Sequence, residues 1–372
     1  MTTALSRRRL LRTTAMGAAA LTLGLSASAC GAGADTASGG GGSNVTTITL
    51  ATPFPDGTPG AIPNWLGEKL GYFKEEGINV KVVSLAGQPS AAVGLVSAGR
   101  ADIVNAAPDT LIVPAASGKD NGLTWIFTPY QAPSFSIVVP DDSPITSAKQ
   151  LAGKKVSMSA LGAPFETFAR ANVTADGGDG QALSPVTMPV TAAMEQMSKG
   201  AVDAVVANNS EIDQSAAASG ITVRKLPLPP AVAKIFAAGF IVRRDASPAQ
   251  MDAYGKYLRA YMKAAIFAQE NPEAAVRMNW EKYPASKPKN VPDDQAMAQA
   301  KDALLATVEQ FKKGVNGQWG YLAPDRWAAY IDYLGLKGKV ADPAKLYDNS
   351  LLATANDFDA AAVKKQADAW KD

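Results

Sequence analysis

The chain has 372 residues, with 36 Lys and Arg against 34 Asp and Glu, a single cysteine and no histidine. Near neutrality leaves no basic tract for nucleic acid, and the absence of histidine excludes a serine triad of the usual kind, a His-ligated metal and imidazole acid–base catalysis. Cys30 stands alone, ahead of any predicted fold, which excludes an intrachain disulfide, a cysteine nucleophile and a Cys metal cluster.

Residues 1–29 read as an export signal. Arg7, Arg8, Arg9 and Arg12 open it, a mildly apolar Ala/Leu/Gly stretch follows, and small residues precede Cys30. Ser6-Arg7-Arg8-Arg9-Leu10-Leu11 resembles the twin-arginine export motif, and the apolar stretch is too short for a mature membrane span. Cys30, with Ser28 and Ala29 before it, resembles the lipidated cysteine of bacterial lipoproteins, although Ala27 stands where those proteins usually carry Leu. Ordinary cleavage after Ala29 is the alternative. Residues 30–45 then form a Gly/Ser tether of flexible-coil type. Removal of the signal takes four arginines with it and leaves a body close to neutral, long enough for two domains.

Two stretches of that body repeat one another, "SAAVGLVSAGRADIVNAA" from Ser90 and "TAAMEQMSKGAVDAVVAN" from Thr191. A hydroxyl residue opens each as a candidate helix cap. Val93 and Val96, or Met194 and Met197, recur at helical spacing, and Gly99 or Gly200 follows as a left-handed stop. Asp102 or Asp203 comes next, then an apolar run suited to a strand buried on both faces. "TTITLATPFPDGTPGAIPNWLGEKLGYFKEEGINVKVVSL" before the first copy and "GKKVSMSALGAPFETFARANVTADGGDGQALSPVTMPV" before the second share a strand, loop, helix, strand order. The spacing predicts two β-α-β-α-β lobes of one plan. Asp102 and Asp203 fall in helix-to-strand turns on the side away from any ligand, where a carboxylate binds local amides.

In open parallel sheets ligands sit beyond the carboxyl ends of the strands. In the first lobe that position holds Phe54 and Asp56 in the loop 53–60, Gln88 and Ser90 before the repeat helix, and Asp109 after its strand. In the second it holds Gly162, Phe165 and Glu166 in the loop 160–166, Met188 before the helix, and Asn208, Asn209 and Glu211 after the strand. Tyr130, Phe135 and Trp65 fall in or beside the crevice, Trp65 as the strongest candidate for plain core. Apolar strands near Ser134 to Asp142 and Ala237 to Asp245 are the predicted crossings between lobes. Beyond them "SPAQMDAYGKYLRAYMKAAIFAQENPEAAVRMNW", "DDQAMAQAKDALLATVEQFKKG" and "PDRWAAYIDYLGLKG" read as helices packing back on the first lobe. Ser247 and Asp293 are their caps, Pro324 a first-turn residue, and Gly314 and Gly335 stops.

Over the whole mature chain the sequence resembles the solute-binding proteins of ABC importers, in the branch of nitrate, sulfonate or taurine, and thiamine-pyrimidine binders. "GYFKEEGINVKVV", the two repeat copies with "AAPDTLIVPAASGKD", "ITSAKQLAGKKVSMSA", "GFIVRRD" and "DPAKLYDNSLL" carry the resemblance by their order and spacing. It implies an α/β, two-lobed periplasmic-binding-protein type II fold, each lobe a mixed, mostly parallel sheet flanked by helices, on a two-strand hinge. Lobe I would be 46–137 plus 240–372 and lobe II 138–239. It further implies a monomer with no cofactor, metal or catalytic residue, held at the extracellular face of the membrane through Cys30 and serving permease and ATPase subunits. Closure over a small molecule would then shift an open–closed equilibrium.

The expected cleft loops carry Asp56, Asp109, Glu166 and Glu211 and no Lys or Arg, which argues against a strongly anionic ligand. Phe54, Tyr130, Phe135 and Phe165 would stack on a flat ring, while Asn208 and Asn209 donate and accept toward a heterocycle. A nitrogen heterocycle such as a thiamine-precursor pyrimidine fits that mixture. An aliphatic sulfonate or taurine, held by helix N-termini near Gly60 and Gly162, remains the alternative ligand. The alternative classes are a non-transport surface lipoprotein and a carboxylate hydrolase.

Overall fold

Each copy of the internal repeat supplies one helix and one central strand to its own five-stranded sheet. The computed structural model describes residues 45–86, 88–159, 164–289 and 291–371. The expected export signal, Cys30 with its tether, and Gly162 lie outside the described residues. All the described residues belong to one compact unit.

In chain order the first run is β1 (Thr46–Thr52), α1 (Ile62–Lys69), α2 (Tyr72–Glu75), β2 (Ile78–Ser84), α3 (Pro89–Ser97), β3 (Ile103–Ala106), α4 (Asp109–Ala116) and β4 (Leu123–Phe127). The second is β5 (Phe135–Pro140), β6 (Lys155–Met158), α5 (Pro164–Ala175), β7 (Ser184–Thr187), α6 (Val190–Ser198), β8 (Ala204–Asn208), α7 (Asn209–Ser219), β9 (Val223–Lys225) and α8 (Pro230–Ala233). The chain returns through β10 (Gly239–Arg243) and ends in α9 (Pro248–Glu270), α10 (Pro272–Lys282), α11 (Asp293–Val308), α12 (Pro324–Tyr333), α13 (Leu352–Ala355) and α14 (Ala360–Ala369).

The sheets share one plan. Their strand orders are β2-β1-β3-β10-β4 and β7-β6-β8-β5-β9. In each, the β-α-β-α-β run supplies three parallel strands, and a fourth strand, β10 or β5, lies antiparallel beside the repeat strand. The repeat strands β3 and β8 are buried on both faces, as short Val/Ile/Ala runs between helix layers must be. The strands expected to carry the crossings do not bridge the sheets. β5 lies wholly in the second sheet and β10 wholly in the first, so the chain passes between them in residues 128–134 and 226–238, just before each strand.

Gly99 and Gly200 take φ of 66° and 71° after α3 and α6, the left-handed stop that only glycine adopts without strain. The opening hydroxyls are not caps. Pro89 and Val190 begin the helices, which places Ser90 and Thr191 one residue inside them, and neither helix has a side-chain cap. Asp102 and Asp203 bind a strand in place of their own turn. Each carboxylate accepts from a backbone N–H of the neighbouring first strand, Thr49 at 2.7 Å and Lys155 at 2.8 Å.

α9 is the buried spine of the first half, with Tyr257, Leu258, Tyr261 and Phe267 all but inaccessible. Ser247 caps it in a box with Gln250. A break at Asn271 and Pro272 splits α9 from α10, because Pro272 lacks the N–H needed to continue the ladder. Pro292, not Asp293, holds the cap position of α11, which ends at Val308, well before Gly314. Gly335, at φ 69°, does stop α12. The last helices do not all pack on the first half. Trp327, Tyr330 and Ile331 of α12 share an apolar cluster with residues of both sheets, among them Trp125, Ile137 and Val156. Among the described residues no helix is long and apolar enough to cross a membrane.

Candidate functional site

A cavity of about 590 Å³ opens at the carboxyl ends of the parallel strands, lined by residues of both sheets and of both crossing segments. Its size suits a small organic molecule. Loop residues Phe54 and Gly60 come from the turn after β1, and Asn105 and Asp109 from the end of β3 and the start of α4. Phe135, Asn208, Ser210 and Glu211 belong to the second half, and Tyr130 and Phe236 to the crossings.

Asn105 forms the floor. It is 1 % exposed and its carboxamide oxygen has no hydrogen-bond partner. One turn on, Asp109 opens α4. Burial raises its carboxyl above the usual carboxylate range, and hydrogen bonds from the backbone N–H groups of Asp109 and Thr110 partly offset that. Its Oδ1 is buried without a partner. Tyr330 and Tyr333, three residues apart on one face of α12, form the neighbouring wall. Burial raises both phenols, and the negative charge of Asp109 adds to it, which puts all three groups within electrostatic reach.

Phe236 ties that wall to the crossing. Its ring meets Trp125, Trp327 and Tyr330 edge-on at 5.6, 5.2 and 5.5 Å. Arg326 of α12 reaches both crossing segments. Nε donates to the Lys234 carbonyl at 2.8 Å, Nη1 to Gln131 Oε1 at 2.6 Å, and Nη2 to the carbonyls of Gln131 at 2.8 Å and Ile235 at 3.0 Å. Across the cavity, Phe135 leans on Phe165 and Phe168 at 5.0 and 5.7 Å. Glu211 accepts from the Asn208 side-chain amide at 3.0 Å and from its backbone N–H at 3.4 Å, the latter part of the capping box that opens α7. Phe54 lies over Gly60, where a Cβ would come within 3.1 Å of the ring.

Of the residues singled out by sequence, the structure brings Phe54, Asp109, Tyr130, Phe135, Asn208 and Glu211 into the wall. The others fall elsewhere, each for a local reason. Asp56 sits at the exposed tip of a turn, near Tyr283. Gln88 and Ser90 are exposed, and Pro89 between them faces the cavity. Phe165 backs Phe135 without lining the space. Glu166 pairs with Arg170 at 2.8 Å one helical turn away. Met188 packs on the apolar cluster of α6 and β8, and Asn209 accepts from the Ser136 hydroxyl at 2.5 Å. Trp65 is core, edge-on to Tyr283 at 5.9 Å.

Asn105, Ser210, Phe236, Tyr330 and Tyr333 line the cavity without having been anticipated. The repeat itself held the signal for the first. Aligned on Asp102 and Asp203, Asn105 stands opposite Val206 and Asp109 opposite Ser210, so the first copy departs toward polar groups where the fold accepts Val and Ser. No Lys or Arg lines the cavity among the described residues, and none of them form a cluster of three or more His, Cys, Asp or Glu able to hold a metal.

The family model described as "NMT1/THI5 like" matches residues 58–275, more than half of the chain. No curated protein matches in sequence. Among solved structures, a Bordetella bronchiseptica RB50 protein is similar at 17 % identity and a TM-score of 0.57, over 84 % of this chain and 98 % of that one. A putative periplasmic sulfonate-binding protein SsuA from Methylobacillus flagellatus KT is similar at 17 % identity and 0.56, over 84 % and 94 %. A mutant DszB in complex with biphenyl-2-sulfinic acid is similar at 14 % and 0.51, over 84 % and 99 %. These likenesses show the fold, the two-lobed α/β arrangement of periplasmic binding proteins of type II.

Proposed function

The chain belongs to the NMT1/THI5-like family, and from that premise we propose that it is the extracytoplasmic solute-binding component of an ABC importer, closing on a nitrogen heterocycle such as a thiamine-precursor pyrimidine. The observation that carries the reading is a single cavity lined by two like-built halves and by both segments joining them. Such a site couples occupancy to the angle between the halves, so binding energy shifts an open–closed equilibrium that a permease can read. Phe54, Phe135 and Tyr330 offer faces and edges for a flat ring, and Asn208 and Asp109 offer polar contacts at its rim. The expected lobe limits at 137/138 and 239/240 cut β5 and β10, and limits within the crossing segments 128–134 and 226–238 keep each sheet whole. The sequence around Cys30 supports export and a lipid anchor, with residues 30–45 as the tether and no oligomer needed for the site.

A sulfonate is the second reading. The M. flagellatus protein is named as a sulfonate binder, and α4 and α7 begin at the cavity, where helix N-termini attract anions. Against it stand Asp109 and Glu211 in the wall and the lack, among the described residues, of a lining Lys or Arg. DszB is named as a desulfurization enzyme, and the alternative of a carboxylate hydrolase is tested by product analysis after incubation with any ligand found.

Thermal-shift assays with 4-amino-5-hydroxymethyl-2-methylpyrimidine, taurine and methanesulfonate separate these readings. The pyrimidine at 100 times its Kd stabilises by roughly 2.7 kcal/mol, a visible rise in Tm. A shift with the sulfonates alone overturns the ligand class. No shift with these or a wider panel of vitamins, heterocycles and amines overturns solute binding in favour of a non-transport lipoprotein.

A further inference from the structure

We infer that Asn105 and Asp109 form a subsite that demands hydrogen-bond donors, so that the cavity selects a flat ligand bearing an amidinium, amino-heterocycle or other N–H-rich head and rejects anions of the same shape. This rests on the solute-binding reading and names the chemistry of the head group.

Two residues of the cavity lining, Asn105 and Asp109, each hold a buried acceptor with nothing to accept from. Asn105 is almost wholly buried and its Oδ1 is unpartnered, and Asp109 Oδ1 is buried and unpartnered as well. A buried acceptor left without a donor is a standing penalty that an incoming N–H removes. The backbone N–H bonds at the start of α4 do not satisfy that second oxygen of Asp109. A sulfonate or carboxylate would set its own acceptors against these two, with no lining Lys or Arg among the described residues to compensate. Arg326, the nearest guanidinium by sequence to the Tyr330 wall, is committed to the carbonyls of the crossings.

The aromatic wall agrees. Tyr330 and Tyr333 sit close enough to Asp109 to feel its charge, and a flat cation between a carboxylate and phenol rings gains from both. The second copy of the repeat carries Val206 and Ser210 at the matching positions, so the fold does not require Asn and Asp there.

Isothermal titration of the full chain with benzamidine, benzamide, benzoate and benzenesulfonate varies the head on a constant ring. The expected order is benzamidine tightest, benzamide weaker, and both anions at least tenfold weaker than benzamidine. Asp109→Asn and Asn105→Val each weaken benzamidine at least tenfold, and Asp109→Asn removes the preference for amidine over amide. Benzoate or benzenesulfonate binding as tightly as benzamidine overturns the inference, as does unchanged benzamidine affinity in both variants. Binding of the aminopyrimidine with no discrimination among the four probes overturns this subsite and leaves solute binding standing. Silence of every probe and of the wider panel overturns both.

Discussion

Asp109 is held where a carboxylate is uncomfortable, and that discomfort has a thermodynamic sign. Burial raises its folded pKa above the unfolded value, so the native state binds the proton more tightly than the unfolded chain does. Stability from this group is therefore present at low pH and is lost as pH rises through the raised pKa. Facing it are the phenols Tyr330 and Tyr333, which stay neutral across that window, and Glu211 on the opposite wall. Asp109→Asn is expected to raise the Tm of the ligand-free protein by a few degrees at pH 7.5 and to lose that advantage as pH falls toward 4.5. Paired melting curves of wild type and variant across the range check it. A variant less stable than wild type at neutral pH would mean that the carboxylate earns its place by structure alone. Binding sites commonly hold such groups at the expense of stability.

At the scale of elements, the repeated turn does structural work in duplicate. Asp102 and Asp203 each tie a helix-to-strand turn to the first strand of their own β-α-β-α-β run, β1 or β6, through a backbone N–H. Removing either leaves one amide of an interior strand without its acceptor, so Asp102→Ala and Asp203→Ala are each expected to lower stability by about 1–2 kcal/mol. Urea unfolding measures the loss, and ligand affinity stays unchanged because both turns lie at the end of the sheet away from the cavity. A drop in affinity without a drop in stability would contradict this. The pair illustrates what the sequence disclosed. Glycine stops, apolar strand runs and the Asp positions were readable because each is dictated by local sterics or periodicity. The partner of each carboxylate was not, because strand pairing joins residues about fifty positions apart. The cavity shows the same division. Phe54, Asp109 and Asn208 followed from the rule that loops at strand ends face ligands, whereas Tyr330 and Tyr333 arrive from α12, whose docking is decided by Trp327 against Trp125 at 5.6 Å and by no pattern within its own ten residues.

For the whole molecule the question is what sets the angle between the halves. Only the two crossing segments, 128–134 and 226–238, carry the chain from sheet to sheet, and Arg326 hydrogen-bonds to both of them. Its guanidinium also lies 5.6 Å from the Phe236 ring, and its helix presents Tyr330 and Tyr333 to the cavity. α12 thus connects ligand wall and pivot through one rigid element, the arrangement by which a contact at the site biases a hinge. Burial lowers the Arg326 pKa from its ordinary value, yet the guanidinium remains a cation at neutral pH, and its bonds to carbonyls are of the charge-assisted kind. Arg326→Ala removes them together and leaves two part-buried carbonyls, of Gln131 and Ile235, without that donor, at a cost of about 2 kcal/mol. The variant is expected to melt several degrees lower and to exchange backbone amide hydrogen faster in 128–134 and 226–238. In wild type, ligand should slow exchange in both segments and shrink the radius of gyration in solution scattering. In the variant, ligand should still bind, more weakly, with protection of the two segments no longer rising together. Unaltered exchange in both segments of the variant would show that the halves are joined by packing of α12 alone, with Arg326 a bystander.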